Sequence, residues 1–467
     1  MNSTMYSNIK NTVSPLSAGR RFIRVAGVFL LLAVCCSACG IYGKYTRPDN
    51  ITAENLYGTD ITENTDSTTL ASLSWEEIFT DPDLQNLIRQ GLERNADFQS
   101  LQWTVRQAQE AYKASQLAYV PGFTFAPQGG YTYNINAPQG NWTYSLPVAM
   151  DWEIDLFGKL LNQKRKAQEA LFMTQDMQQA AQTQLVANIA SLYYQLLMLD
   201  AQLALTDSTA VKWRETVCIM QAMKEAGMMN EVSVAQTEAT CFAIEAGLLD
   251  LQRTIRDVEN VLCVILRQAP GHIIRGTLSQ QVLPQELQVG VSAQLLAERP
   301  DVRQAEHNLA QYFYNEHYAR SCLFPSIGIN GSALWNGNFI ASFLGSLTQP
   351  IFQHYALKAN LEIAKTQYQQ ALLSFEQTLV KAGSEVNDAM RQCLTAREKR
   401  ILREQQIDAL QQAMEHTQAL MTNGSTTYLE VIYAQQSLLE AQTTRLSDWL
   451  EEAQGVVKLY QALGGGR

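Results

Sequence analysis

The side chains of this chain that could do chemistry are five histidines, eight cysteines and a methionine-rich stretch. His272, His307, His317, His354 and His416 are scattered, and none shows a ligand spacing such as HExxH, which puts two imidazoles on one helix face. No GxSxG elbow and no glycine-rich phosphate loop occurs either. Catalysis needs a nucleophile, a base or metal ligands that converge. The chain therefore reads as a non-enzyme without a cofactor. Cys218, Met220, Met223, Met228 and Met229 form a soft-ligand cluster. Sulfur donors of this kind suit Cu(I) or Ag(I), yet methionine also serves as adaptable packing, and the sequence leaves both readings open.

Cysteine usage points elsewhere. Residues 1–38 hold Lys10, Arg20, Arg21 and Arg24, no acids, the apolar run Val25 to Cys36 and small Ser37-Ala38. A charged n-region, a short h-region and a small-residue cleavage site make an export signal, too short for a spanning helix. The finish Cys36-Ser37-Ala38-Cys39-Gly40 resembles a lipoprotein signal, in which cleavage precedes a cysteine that receives diacylglycerol and an N-acyl chain, so Cys39 is the expected lipidation (palmitate) site. The five cysteines that then remain, Cys218, Cys241, Cys263, Cys322 and Cys393, are widely spaced and odd in number. No disulfide framework or CxxC site is indicated, and all five are expected as small buried groups.

Signal removal takes four positive charges away, so the formal net charge moves from −10 to −14. With no basic patch interleaved with aromatics, nucleic acid is excluded as a partner.

The elements that must carry any function are long. Leu357 to Leu463 contains no proline and reads as two antiparallel helices that turn over at Asn423-Gly424. Leu357, Leu361, Ala364, Tyr368, Ala371, Phe375, Leu379, Ala382, Val386, Ala389 and Cys393 follow one another in steps of four and three. That is a 3.5-residue repeat, the mark of a narrow coiled-coil seam. At 1.5 Å per residue the limb to Met421 is roughly 95 Å long.

The pattern occurs twice. All twelve prolines avoid Asp151 to Ala269 and Ile351 to Arg467, and each proline-free stretch turns at a glycine, Gly227 or Gly424. Leu92-Glu93-Arg94-Asn95 parallels Ala297-Glu298-Arg299-Pro300, Val120-Pro121 parallels Phe324-Pro325, Leu156-Phe157 parallels Ile351-Phe352, and Ala235-Gln236 parallels Ala434-Gln435. The offsets fall between 195 and 205, which predicts an internal duplication of about 200 residues. The expected organisation is a signal peptide (1–38), a linker (39–74), a first repeat (75–270), an equatorial connection (271–297) and a second repeat (298–467). Helices are expected to resume at Trp75 to Asp81 and at Asp83 to Tyr119.

Each repeat also switches period. Phe123, Phe125, Tyr131, Tyr133, Trp142, Tyr144, Leu146, Val148, Met150 and Trp152 alternate with small or polar residues, with turn-like runs at Gln128-Gly129-Gly130 and Ala137-Pro138-Gln139-Gly140. This predicts an aromatic-faced β-hairpin over about 121–152 ahead of a helical hairpin over about 156–268. Ile327, Ile329, Trp335, Phe339 and Phe343 predict a second over about 325–352, ahead of a helical hairpin over about 357–463. With no helix apolar enough to cross a bilayer, any crossing must be by a closed β-barrel. Four strands cannot close one, because bacterial barrels begin at eight strands; a trimer would supply twelve.

Trp152-Glu153-Ile154-Asp155-Leu156-Phe157-Gly158-Lys159, Leu295-Leu296-Ala297-Glu298-Arg299-Pro300-Asp301-Val302, Phe324-Pro325-Ser326-Ile327 and Leu459-Tyr460-Gln461-Ala462-Leu463-Gly464-Gly465-Gly466 together resemble the TolC-type outer membrane factors. Tyr45-Thr46-Arg47-Pro48 fits their lipoprotein branch, often labelled NodT. The resemblance covers essentially the whole mature chain.

It implies a mainly α fold with a small β part: a homotrimer whose 12-stranded outer-membrane β-barrel, four strands per protomer, continues as a long periplasmic α-helical barrel. It also implies a passive duct, fed by an inner-membrane pump of the RND class through a periplasmic adaptor. The chain would be lipid-anchored in the cell outer membrane and extend into the periplasm. The resemblance further implies that the hairpin tips Gly227, Met228, Gly424, Ser425 and Thr426 dock the adaptor and that Glu430 contributes to an acidic channel gate. Tyr433 stands where relatives often carry Asp. The alternative is a lipid-tethered coiled-coil scaffold without a channel, which leaves the aromatic hairpins without purpose.

Overall fold

The computed structural model describes residues 43–48, 73–134, 139–284, 299–349, 355–422 and 426–465. The expected signal peptide, Cys39, most of the 39–74 linker, residues 285–297, Gly424 and Ser425 lie outside these. The chain divides into two compact units, one of Met1–Thr46, Lys113–Lys166 and Gln311–Tyr368, the other of Arg47–Tyr112, Ala167–Ala310 and Gln369–Arg467.

Eight α-helices occur among the described residues: α1 Trp75–Ile78, α2 Pro82–Arg94, α3 Ala96–Leu117, α4 Lys159–Glu225, α5 Glu231–Ile265, α6 Pro300–Ser321, α7 Ala356–Thr422 and α8 Tyr428–Ala462. Their lengths repeat. α3 and α6 have 22 residues each, α4 and α7 have 67, and α5 and α8 have 35. None is long and apolar enough to cross a membrane.

In the second unit the 3.5-residue spacing on α7 marks the residues that leave water. Ala371, Phe375, Leu379, Ala382, Val386, Ala389 and Cys393 are all buried. Narrow seams of small residues let long helices approach closely along their length. Tyr193 of α4, fully buried, donates from its hydroxyl to Asp81 Oδ2 at 2.7 Å. Phe79 is buried next to Tyr194, ring centroids 6.5 Å apart, and packs edge-on against Tyr460 of α8, with centroids 5.4 Å apart. Burying side chains of this size contributes about 1.5–3 kcal/mol each.

The helix expected from Asp83 to Tyr119 is two helices. Asp81 caps α2, accepting from Asp83 and Leu84 N–H, with Pro82 at the first position. The break falls at Asn95, which leaves helical geometry at ψ 127°. Its Oδ1 accepts from Phe98 N–H at 2.9 Å to cap α3, and its Nδ2 donates to Ile265 O at 3.0 Å. A short polar side chain that can satisfy two helix ends at once overrides helix continuity.

The expectation of five buried thiols fails at one position. Cys241, Cys263 and Cys393 are buried and Cys322 is half-buried, but Cys218 is exposed. Two residues on, Met220 takes the inward position of α4, and a separation of two residues puts Cys218 on the opposite side of the helix.

The first unit holds the sheet, made of β1 Gly122–Phe125, β2 Gln128–Asn134, β3 Gln139–Ile154, β4 Ser326–Trp335 and β5 Phe339–Thr348. β1 and β2 both pair antiparallel with β3, followed by β4 and β5. Five segments thus fill four strand positions. Gln128-Gly129-Gly130, expected as a turn, lies within β2 opposite Thr143 to Ser145. The interruption comes instead at Ala126-Pro127, where proline has no N–H for the ladder, while Ala126 N–H still reaches Pro147 O at 3.3 Å.

Candidate functional site

The register gives the sheet two unlike faces. Trp152 pairs with Ile329, Leu146 with Trp335, Tyr131 with Trp142, Trp335 with Phe339 and Gly331 with Phe343. Side chains alternate along a strand, so these residues, with Phe123, Phe125, Val148 and Met150, form one continuous apolar face. The opposite face carries Thr124, Thr132, Asn141, Thr143, Ser145, Asp151, Asn330, Ser332, Ser342 and Ser346, with Leu334, Ile340 and Leu344 among them on β4 and β5. The apolar face is left open, with Trp142 77% exposed and Phe343 likewise 77%. An apolar area of this extent on a soluble surface marks contact with lipid or protein. At the base of the sheet Trp152 Nε1 donates to Tyr119 O at 2.9 Å, Lys159 pairs with Glu153 at 2.9 Å, and Phe157 stacks on Phe324 at 5.1 Å. Two of the sequence motifs therefore meet there.

The other candidate region is the tip of the helical hairpins, in the second unit. α4 ends in a Schellman motif, with Met228 N–H bonded to Met223 O and Gly227 N–H to Lys224 O. Gly227 sits at φ 71°, a conformation glycine adopts without cost. Met228 is 71% exposed. Asn230 caps α5 by accepting from Ser233 N–H at 2.9 Å, and Lys224 pairs with Glu231 across the turn. On the second hairpin, Glu430 lies in the first turn of α8, exposed, and accepts from the Thr426 hydroxyl. A carboxylate there is favoured by the helix dipole. Leu429 and Tyr433 on the same turns are also exposed.

Sequence reasoning missed what joins the two tips. Trp213 and Met220 of α4 and Val234 and Cys241 of α5 form one buried cluster with Tyr428, Val431 and Ile432 of α8. The signal was present, because 213-217-220 and 234-237-241 are helical spacings. The soft-ligand cluster disperses in consequence: Met220 is buried, Met229 is packed against the cluster, and Cys218 and Met228 face solvent. Among the described residues no group of three or more His, Cys, Asp or Glu side chains could hold a metal ion.

Two buried arginines position the remaining elements. Arg275 donates to Asp200 at 2.6 Å and to Glu259 at 2.6 Å. Burial alone would raise the Glu259 carboxyl, but hydrogen bonds from Arg275 and the Ile273 N–H, Arg275's charge and His272 together hold it below its ordinary 4.5. Arg299 bonds to Asp301 at 2.7 Å and to Glu385 at 2.6 Å.

The family described as "Outer membrane efflux protein" matches the chain over residues 87–266 and 291–465. The cation efflux system protein CusC of Escherichia coli (strain K12) is 24% identical over 452 residues, covering 93% of this chain and 98% of the relative. The probable outer membrane lipoprotein SilC of Salmonella typhimurium is 25% identical over 418 residues, 84% of this chain and 88% of the relative. The structure of the open state of the Neisseria gonorrhoeae MtrE outer membrane channel superposes with a TM-score of 0.80 at 24% identity, covering 91% of this chain and 98% of that one. That likeness concerns the fold.

Proposed function

This chain belongs to the outer membrane efflux protein family, and from that membership we propose that it is the passive outer-membrane duct of a tripartite efflux system. The observation that carries the proposal is the sheet, which among the described residues has one aromatic-rich apolar face, an opposite face rich in Ser, Thr and Asn, and four strand positions. In a bilayer every backbone group must be paired, which a closed barrel achieves. Three copies give twelve strands and remove both edges, with the apolar face toward lipid and the polar face lining water.

The chain is anchored through a lipidated Cys39. Gly43 O accepts from Arg165 Nη1 at 2.9 Å, and Tyr45 N–H donates to the Tyr314 hydroxyl at 3.2 Å, both within the unit that holds the sheet. Four residues span at most roughly 14 Å, so acyl chains on Cys39 start close to that unit. The mature chain is two repeats, 75–270 and 298–467, joined by the equatorial connection 271–297. The tips at Gly227, Met228, Gly424, Ser425 and Thr426 dock a periplasmic adaptor. The adaptor connects to an inner-membrane pump of the RND class. Three copies of Glu430 ring the tunnel as a cation-favouring gate. A tethered scaffold gives the exposed aromatic face no partner.

The test is migration on a gel. A barrel trimer survives mild SDS and dissociates on boiling; a chain that runs as a monomer before heating contradicts the proposal.

A further inference from the structure

The alternation of the strands fails at one level of the sheet. Pro147 of β3 lies opposite Leu334 of β4, and Leu334 lies opposite Ile340 of β5. Residues directly opposite in an antiparallel pair share a face, and this one is the face of Ser332 and Ser342. The same level on the aromatic face holds Leu146, Trp335 and Phe339. Strands that run between lipid and water carry polar residues on the water side; here β3, β4 and β5 are apolar on both sides.

The topology fixes where this level lies. Leu334 and Ile340 flank the turn at Asn336-Gly337-Asn338, while α3, α4, α6 and α7 all join the sheet at its other end. Ile340 is 54% exposed, and Leu344, on the same face of β5, is 67% exposed. Pro147, Leu334, Ile340 and Leu344 thus make an apolar patch toward the helix-free end of a face otherwise suited to water.

Charge decides what fits such a patch. The five strands contain two carboxylates, Asp151 and Glu153, and no Lys or Arg. Glu153 is paired with Lys159. Asp151 is exposed and lies on the patch's own face, on a cross-strand line that runs through Asn330 to Leu344. Asp151 and Leu344 are two strand spacings apart, roughly 10 Å, which is about one Debye length at about 0.1 M salt. The carboxylate therefore still acts on a charge held at the patch. An acid beside an apolar patch, with no base on any strand, complements an organic molecule that has an alkyl or aryl body and a positive charge.

We propose that this patch is a binding subsite in the wall of the duct for amphiphilic organic cations. Leu334, Ile340 and Leu344 take the apolar body, and Asp151 draws the charge. Three copies set three such patches around the lumen. A cation without apolar surface meets only the carboxylate, and an apolar anion is repelled by it, so the wall holds its passengers according to their chemistry. The subsite rests on the duct reading above and names a class of substrate that the duct retains on its way out.

The experiment is single-channel recording of the purified full-length protein in planar bilayers, with tetramethylammonium or tetrabutylammonium chloride added on the barrel side. Tetrabutylammonium should block the current at a concentration about tenfold below that of tetramethylammonium, as burial of about two methylenes implies. Leu334→Thr with Ile340→Thr, which keeps residues suited to strands, should bring the two blockers to within about twofold of each other, and Asp151→Asn should weaken both. An SDS-resistant trimer shows that a variant has assembled; Ile340→Thr alone decides the matter if the pair does not. A conducting wild type that both ammonium ions block alike, a preference that survives the threonine substitutions, block untouched by Asp151→Asn, or equal block by hexanesulfonate overturns the subsite and leaves the duct standing. A wild type that neither conducts nor forms an SDS-resistant trimer overturns the duct reading and the subsite with it.

Discussion

Arg299 Nη1 donates to the carbonyl oxygen of Ala462 at 2.6 Å. This contact ties the start of the second repeat to the end of the chain, two motifs 163 residues apart. The guanidinium also donates to Ala382 O at 3.2 Å and bonds to Asp301 and Glu385, so one side chain holds α6, α7 and α8 together. Burial opposes its charge, and the two carboxylates more than restore it, so Arg299 is held above the ordinary arginine range.

Arg299→Ala leaves two carboxylates and two carbonyls without their donor. The carboxylates, 43% and 40% exposed, can rehydrate, so the loss comes mainly from the carbonyls and is expected to be about 1–3 kcal/mol. Arg299→Lys recovers only part of it, because an ammonium cannot reproduce the planar fork. Thermal unfolding of the detergent-solubilised protein reads both.

Tyr193→Phe has a pH signature. Burial would raise the Asp81 carboxyl, but hydrogen bonds from Tyr193, Gln281 and the Leu84 and Asp83 N–H groups hold it below its ordinary 3.8. A depressed carboxylate contributes stability that is present above its unfolded value and lost as pH falls through the folded one. The variant should cost about 1.5 kcal/mol at neutral pH, the low end for a bond to a charged group. The difference from wild type should shrink as pH falls below about 4. Melting curves between neutral pH and pH 3 check this; a difference constant across that range would show that Asp81 ionisation is not involved.

Gly455 of α8 faces Cys393 of α7 so closely that an added Cβ would lie 2.8 Å from its sulfur. Burial pushes that thiol up to about 11, so it behaves as a neutral packing group. Gly455→Ala gains about 1 kcal/mol of helix propensity, but overpacking costs about 1–3 kcal/mol. The single variant should be the less stable by about 1 kcal/mol. In a Cys393→Ala background the sign should reverse, a coupling that a double-mutant cycle measures.

Ile432→Ala opens the apolar cluster that joins the tips. Large-to-small changes of this kind cost about 2–5 kcal/mol. With less holding the second hairpin to the first, the open fraction of the channel should rise, read as longer openings in planar bilayers.

The long helices were legible because a 3.5-residue seam has to be written along the chain: Ala371, Phe375, Leu379 and Val386 announce it and are buried. The apolar sheet face was legible for the same reason, since alternation of Trp142, Tyr144 and Leu146 has one geometric meaning. What the sequence hid depends on partners distant in the chain. The break at Asn95 needs the Ile265 carbonyl, the outward turn of Cys218 follows from Met220 being claimed by α5 and α8, and Gly129-Gly130 stays in a strand because β3 supplies the opposite edge. At the candidate gate, the family resemblance pointed to Glu430, and a glycine within a proline-free helical stretch pointed to the turn at Gly227. The cluster between them is made by three helices, and only the fold brings Trp213 to Ile432.

The most direct test of the central claim is single-channel conductance of the purified protein in planar bilayers, wild type beside Glu430→Gln. The account predicts a small, cation-preferring conductance that the substitution makes less cation-selective. The difference should be larger at low ionic strength, where charges are screened less. Absence of any conductance from protein that also forms no SDS-resistant trimer would contradict it.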